Sequence, residues 1–101
     1  MIERTMPAYL LLDIDIHDPQ KYEAYKRDVP AFVAKHGGEY LARGGDHEVI
    51  EGDWTPTRLV LFRFPDRQSI RNLFADPDYQ HLKSIRHEAA RSDLVAFDGI
   101  A

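Results

Sequence analysis

Residues 7–19 read Pro-Ala-Tyr-Leu-Leu-Leu-Asp-Ile-Asp-Ile-His-Asp-Pro. Ala8, Leu10, Leu12, Ile14 and Ile16 share one side of a period-two pattern; Tyr9, Leu11, Asp13, Asp15 and His17 share the other. That period is a β-strand with one wholly apolar face. Asp18-Pro19 then signals a helix start. The carboxylate accepts from the free amides of the first turn, and proline lacks an N–H that would have no partner there. Tyr22, Tyr25, Val29, Phe32 and Val33 form the helical stripe, which Gly37-Gly38 ends. Pro30 lies inside it and is expected to kink the helix near Lys26 to Val29, or to split it.

The same grammar repeats downstream. Glu39 to Arg43 reads as a short strand, and Gly44-Gly45-Asp46 as a turn. His47 to Glu51 is expected either as a brief hairpin arm or as a continuation of the sheet after a bulge. Thr57 to Phe64 alternates, with Arg58, Val60, Phe62 and Phe64 on one face and Leu59, Leu61 and Arg63 on the other. Asp66 caps a short helix to Ala75, with Ile70, Leu73 and Phe74 inward. Asp76-Pro77 starts another helix to about Ala90, with the stripe Tyr79, Leu82, Ile85 and Ala89. Ser92 to Asp98 is the last strand. This order predicts a ferredoxin-like βαββαβ fold, an α+β architecture whose antiparallel sheet carries helices on one face and has its first and third strands as central neighbours. A single domain over 7–101 and a short disordered leader over 1–6 are expected.

Helices cover the face of Leu10, Leu12 and Ile14. The opposite face carries Tyr9, Leu11, Leu59 and Leu61, too apolar to leave in water as one patch. The pattern therefore predicts a homodimer packed sheet against sheet.

Composition narrows the function. With 13 Lys+Arg against 17 Asp+Glu, the net charge of −4 speaks against a nucleic-acid partner, which needs a basic footprint. No cysteine is present, so a disulfide framework, thiol catalysis and cysteine metal sites are excluded. No apolar signal segment is visible at the start, and the longest apolar run, Ala8 to Leu12, is far too short to span a membrane. A cytoplasmic location without membrane attachment is expected.

An ordered set of short segments resembles the bacterial domain-of-unknown-function 1330 family, within the dimeric α+β barrel superfamily. The segments are Ala8-Tyr9, Asp13-Ile14, Asp18-Pro19 with Tyr22 and Tyr25, Gly37-Gly38 with Tyr40, and Arg43-Gly44-Gly45. They continue with Glu51-Gly52-Asp53-Trp54, Pro56, Arg58-Leu59-Val60, Phe64-Pro65, and Pro77-Asp78-Tyr79-Gln80 with Arg86. The resemblance implies a ferredoxin-like fold and a dimer whose two sheets form a barrel. It implies no reaction, because the family has no common activity; the wider superfamily includes cofactor-independent monooxygenases, lactone isomerases and haem-dependent enzymes. Leu73-Phe74 stands where the family often has Trp-Tyr, and Arg63 where an acidic residue is common.

The candidate site gathers Arg43, Glu51, Trp54 and Arg58 around the glycine turns. Arg43 and Arg58 can fork a carboxylate or phosphate of a small metabolite. Trp54 can stack on a ring or close a lid, and Glu51 can serve as a base if partly buried. Tyr25 and His47 are the further acid–base candidates. The structural alternative is a turn stapled by Arg–Glu pairs with Trp54 at the dimer seam. Asp13, Asp15 and His17 admit two readings. One is a divalent-metal site, although same-face positions are roughly 6.5–7 Å apart along a strand. The other is that Asp13 or Asp15 pairs with Arg63. Gly44-Gly45 lacks the Walker pattern, and no nucleophile elbow is present; no cofactor is expected. The reading is a homodimer binding a small anionic or aromatic metabolite between sheet and helices, with cofactor-independent isomerase or monooxygenase-like chemistry. The rival is a non-catalytic dimeric structural or protein-interaction module.

Overall fold

The computed structural model describes residues 6–100. Strand β1 (Ala8–Ile16) leads into helix α1 (Pro19–Lys35), then β2 (Glu39–Arg43) and β3 (Leu59–Phe64). Helix α2 (Arg67–Ala75), a 3-10 turn (Pro77–Tyr79), helix α3 (Gln80–Ala89) and strand β4 (Ala90–Asp98) complete the order. Among the described residues the sheet has four strands in the order β2-β3-β1-β4, every neighbouring pair antiparallel. This is the ferredoxin-like α+β fold, with β1 and β3 as central neighbours as the alternation predicts. The expected leader falls almost wholly outside the described residues; only Met6 lies within them.

The caps act as their chemistry dictates. Asp18 accepts from the Lys21 amide at 3.1 Å, Asp66 from Ser69 at 2.7 Å, and Asp76 from Asp78 at 3.0 Å. α1 is neither split nor ended by Pro30. The missing proline N–H leaves the Lys26 carbonyl without its helical partner, but Tyr22, Tyr25, Val29 and Val33 keep one buried stripe across the site. Packing of that stripe outweighs the lost bond. Each such side chain contributes ~1.5–3 kcal/mol when fully buried. Against it lie Leu10, Leu12 and Ile14 of β1 and Val60, Phe62 and Phe64 of β3, closed at the other end by Ile70, Leu73, Tyr79 and Leu82.

Four expectations change, one of them the start of β3, which lies at Leu59, two residues later than the alternation from Thr57. No hairpin arm forms at His47–Glu51, and β2 pairs directly with β3 instead. The Gly44 amide closes that ladder on the Leu59 carbonyl at 2.8 Å. Beyond it Gly52 at φ 102° and Pro56, which has no N–H, break strand geometry. The irregularity expected after the turn lies inside β2, between Tyr40 and Ala42. The fourth change is in β4, which starts two residues early: its register begins with Ala90 opposite Ile16, directly off the end of α3.

The face away from the helices is apolar, as the alternation requires. Tyr9, Leu11, Leu59 and Leu61 are half-buried, and Val95 and Phe97 remain 55% and 45% exposed beside them. Among the described residues no helix is long and apolar enough to cross a membrane.

Candidate functional site

The residues between β2 and β3 are tied down by one carboxylate. Asp13 sits on the open face of β1 yet is only 6% exposed. Its Oδ1 accepts from the Thr57 amide at 2.9 Å and, more weakly, from the Arg58 amide at 3.4 Å; its Oδ2 accepts from the Trp54 indole at 3.3 Å. Burial would raise its pKa, but these donors outweigh burial and hold it below the usual carboxylate range. Asp13 therefore does not pair with Arg63, which lies 3.9 Å from Glu39 instead. Asp15 is exposed, opposite Arg91, and Arg91 pairs with Asp93. The described residues contain no cluster of three or more potential metal ligands, so Asp13, Asp15 and His17 do not converge.

This anchoring divides the predicted site between two faces of the sheet. Trp54, 57% exposed, lies on the open face with Glu51 and His47, along a shallow depression of about 310 Å³. Glu51 is exposed in the single chain. His47 Nε2 donates to the Pro56 carbonyl at 2.9 Å; because that oxygen can only accept, the proton is on Nε2. The expected stapling by Arg–Glu pairs is absent among the described residues.

Arg43 and Arg58 go to the helix side. Arg43 lies over the Tyr40 ring, 4.5 Å from its centroid, and Tyr40 packs on Phe62 at 4.6 Å. Arg58 lies against Gly44, where a Cβ would collide with its guanidinium and φ is 69°. The positive φ calls for glycine there, and a Cβ would push the Arg58 guanidinium aside. The two arginines line a narrow cavity of about 20 Å³ between α1 and the sheet, walled by Tyr22, Tyr25, Tyr40 and Phe62. It adjoins an outer cavity of about 220 Å³ that shares Tyr22, Lys26 and Arg58 and adds Ile16, Pro19 and Glu23. None of Lys26, Arg43 and Arg58 has a carboxylate within ion-pair distance among the described residues. A larger depression of about 460 Å³ at the far end of the sheet mixes Arg63 with Glu39 and Asp66 and has no single sign of charge.

Tyr25 does join the cleft, but its hydroxyl meets that of Tyr79 at 3.1 Å. Burial, then the neighbouring Tyr79, drives its phenol well above the ordinary tyrosine value. Tyr25 thus stays protonated near neutral pH, and either hydroxyl of the pair can be the donor. Burial also raises Tyr22, against the pull of Arg58, Arg86 and Arg43. Sequence reasoning named Arg86 only as part of the family resemblance and gave it no place in the site; it is 2% exposed on α3. Its Nη1 donates to Ser92 Oγ at 2.5 Å, its Cζ is 5.9 Å from the Tyr25 ring, and its Nε has no partner. The periodicity held the signal: Arg86 is four residues past Leu82 and three before Ala89, on the buried stripe itself.

Fold and cleft together define a small ferredoxin-like α+β domain with a cationic, tyrosine-walled crevice between its first helix and its sheet. The chain belongs to the family described as domain of unknown function (DUF1330), whose model matches residues 7–100. No curated protein matches it. Among solved structures it is similar to a protein of unknown function from Rhodopseudomonas palustris, at 20% identity and a TM-score of 0.77 over 97% of this chain and 85% of that one. It is also similar to SnoaB, a cofactor-independent oxygenase from Streptomyces nogalater, at 14% identity and a TM-score of 0.65 over 95% of each chain. A hypothetical Arabidopsis thaliana protein aligns at 16% identity and a TM-score of 0.63, over 100% of this chain and 93% of that one. At these identities the likeness is one of fold.

Proposed function

We propose that the protein is a small homodimer that binds an anionic or aromatic metabolite in the cleft between α1 and the sheet of each protomer. One observation carries this reading: in a chain of net charge −4, Arg43 and Arg58 line the inner, tyrosine-walled cavity, which has no carboxylate in its wall, and neither arginine has one within ion-pair distance among the described residues. Arg43 and Arg58 hold the anion, and the tyrosines wall its apolar part. The open face, with Trp54, Val95 and Phe97 exposed, is the surface a second copy covers. Glu51 and His47 then belong to the dimer seam and do not move a proton in the cleft. The similarity to a cofactor-independent oxygenase supports chemistry without a bound cofactor, as fold-level analogy.

The test is a thermal-shift screen of carboxylates, lactones, phenols and phosphates, repeated with Arg58→Ala. A ligand specific for the native state raises the midpoint by about 2.7 kcal/mol of stability at a hundredfold excess over Kd. The reading requires a hit that Arg58→Ala removes while the circular dichroism stays native. An Arg58→Ala variant that unfolds, or loses only its dimer, makes Arg58 structural.

A second reading has its own observation. Asp13 holds the exposed Trp54 over the open face, which suits a non-catalytic dimeric module whose loop stitches two copies. The ligand screen together with Trp54→Ala discriminates: a dimer that Trp54→Ala dissociates and that binds nothing in the screen favours the module, whereas a hit lost in Arg58→Ala favours the cleft.

A further inference from the structure

The two cavities of the cleft differ in size and in charge, and that difference selects a ligand. The inner one, about 20 Å³, exceeds what a single water needs (~10–15 Å³ in the same measure) but not by enough for a second. It can seat one oxygen-sized group beside Arg43 and Arg58. A tetrahedral phosphate, with its cluster of oxygens, does not fit without moving α1. The outer cavity, about 220 Å³, exceeds the ~150 Å³ void that holds a benzene ring.

Charge divides along the same line. Every ionisable group lining the inner cavity is a cation or a phenol: Lys26, Arg43, Arg58, Tyr22, Tyr25 and Tyr40. The outer wall adds Glu23, whose carboxylate opposes a second negative charge there and offsets Lys26. Tyr22 lies on both cavities and is buried, with Arg58, Arg86 and Arg43 all near enough to act on its phenol. None of those arginines has a carboxylate partner among the described residues. The positive potential is therefore unopposed at the narrow end, whereas at the wide end Glu23 sits with Lys26 and Arg58, and Ile16, Pro19 and Tyr22 supply the apolar wall for an uncharged body.

From this we infer that the cleft takes a small monocarboxylate with a ring-sized, uncharged body. One carboxylate oxygen enters the inner seat beside Arg43 and Arg58, and the body lies against Tyr22 and Pro19. A carboxylate brings that oxygen on a flat group with only one further oxygen, whereas a phosphonate crowds two more against a seat the size of one. This deepens the proposed metabolite-binding reading and rests on it.

The experiment uses the full chain and three probes that share a phenyl body, at constant ionic strength: benzoate, phenylphosphonate and benzyl alcohol. Binding is followed by midpoint shift and by amide chemical shifts. Benzoate should bind saturably, move the amides of Tyr22 and Lys26, and lose at least tenfold in affinity in both Arg58→Gln and Arg43→Gln. Arg43 is exposed, so its variant keeps the fold and covers the case in which Arg58→Gln does not. Phenylphosphonate and benzyl alcohol should each bind at least tenfold more weakly. Phenylphosphonate binding as tightly as benzoate, with the same dependence on Arg58, overturns the carboxylate seat and leaves the anion cleft standing. Benzoate affinity unchanged in both variants also overturns the seat. If no probe shifts any cleft amide, the inference fails. An Arg58-dependent hit in the wider screen would then preserve the cleft reading, and silence there would defeat it as well.

Discussion

Replacing Asp13 tests how the segment between β2 and β3 is held. Asp13 is a buried carboxylate that accepts one short hydrogen bond, at 2.9 Å from Thr57, and two long ones, at 3.3 Å from Trp54 and 3.4 Å from Arg58. A hydrogen bond to a charged group is worth ~1.5–3 kcal/mol. The long bonds contribute less, and water recovers part of the loss at the exposed Trp54 and Thr57. Asp13→Ala should therefore lower stability by about 2–3 kcal/mol, a midpoint drop of about 10–20 °C for a domain of this size. Asp13→Asn keeps an acceptor for Thr57 but turns a donor toward the indole or loses that contact, and should cost roughly half as much. The assay is urea unfolding at fixed protein concentration. It is read by the fluorescence of Trp54, the sole tryptophan, which reports the anchored loop directly. The pH dependence has a definite sign. The folded carboxyl titrates below its unfolded value, so the stabilisation is complete above about pH 4 and is lost as pH falls through the folded value. Wild-type and Asp13→Ala stabilities should converge at the acid end. An Asp13→Ala protein within ~0.5 kcal/mol of wild type at pH 7, an ordinary surface effect, would refute the anchoring argument.

Three further outcomes are expected. Gly44→Ala combines a φ of 69° with a collision against Arg58; it should cost about 1–2 kcal/mol and weaken ligand binding, whereas Gly45→Ala, where a Cβ meets nothing, should do neither. Tyr79→Phe leaves the buried Tyr25 hydroxyl without its partner and should cost about 1–3 kcal/mol; in the wild type, spectrophotometric titration should find Tyr25 still protonated until alkali unfolds the chain. Asp76 is held well below the usual carboxylate range by Lys35 first, then by His36 and the Asp78 amide. The stability gap between wild type and Asp76→Asn, followed by thermal midpoints from pH 2 to 7, should be full above the ordinary aspartate range and shrink as pH falls below it; a gap constant with pH would count against the pairing.

Local chemistry made most of the fold legible. The alternation of residues 8–16, the Asp18-Pro19 and Asp76-Pro77 starts and the Gly37-Gly38 stop each specify an element through a constraint that acts within one turn or one strand. The apolar second face was legible for the same reason: Tyr9, Leu11, Leu59 and Leu61 follow from parity alone. Pro30 shows where local reasoning stops on one point: the helix is not split there, because the stripe of Tyr22, Tyr25, Val29 and Val33 packs across the site. Arg86 shows it again. Its spacing put it on the buried stripe, yet a charged residue reads as surface until the packing is seen.

The functional grouping belonged to tertiary structure. Parity already set Arg58 on the face of Val60, Phe62 and Phe64, and Arg43 ends β2; Glu51 and Trp54 lie outside any strand, where no period says which side each residue takes. Asp13, some forty residues upstream, decides it for Trp54: by binding the indole, Thr57 and the Arg58 amide it holds that segment on the open face, away from the cleft lined by Arg43 and Arg58. The sequence by itself therefore determined the elements, their order and the apolar faces, because those depend on short-range geometry. Only the folded chain decided which cations share a cavity, because that depends on contacts between segments far apart along it.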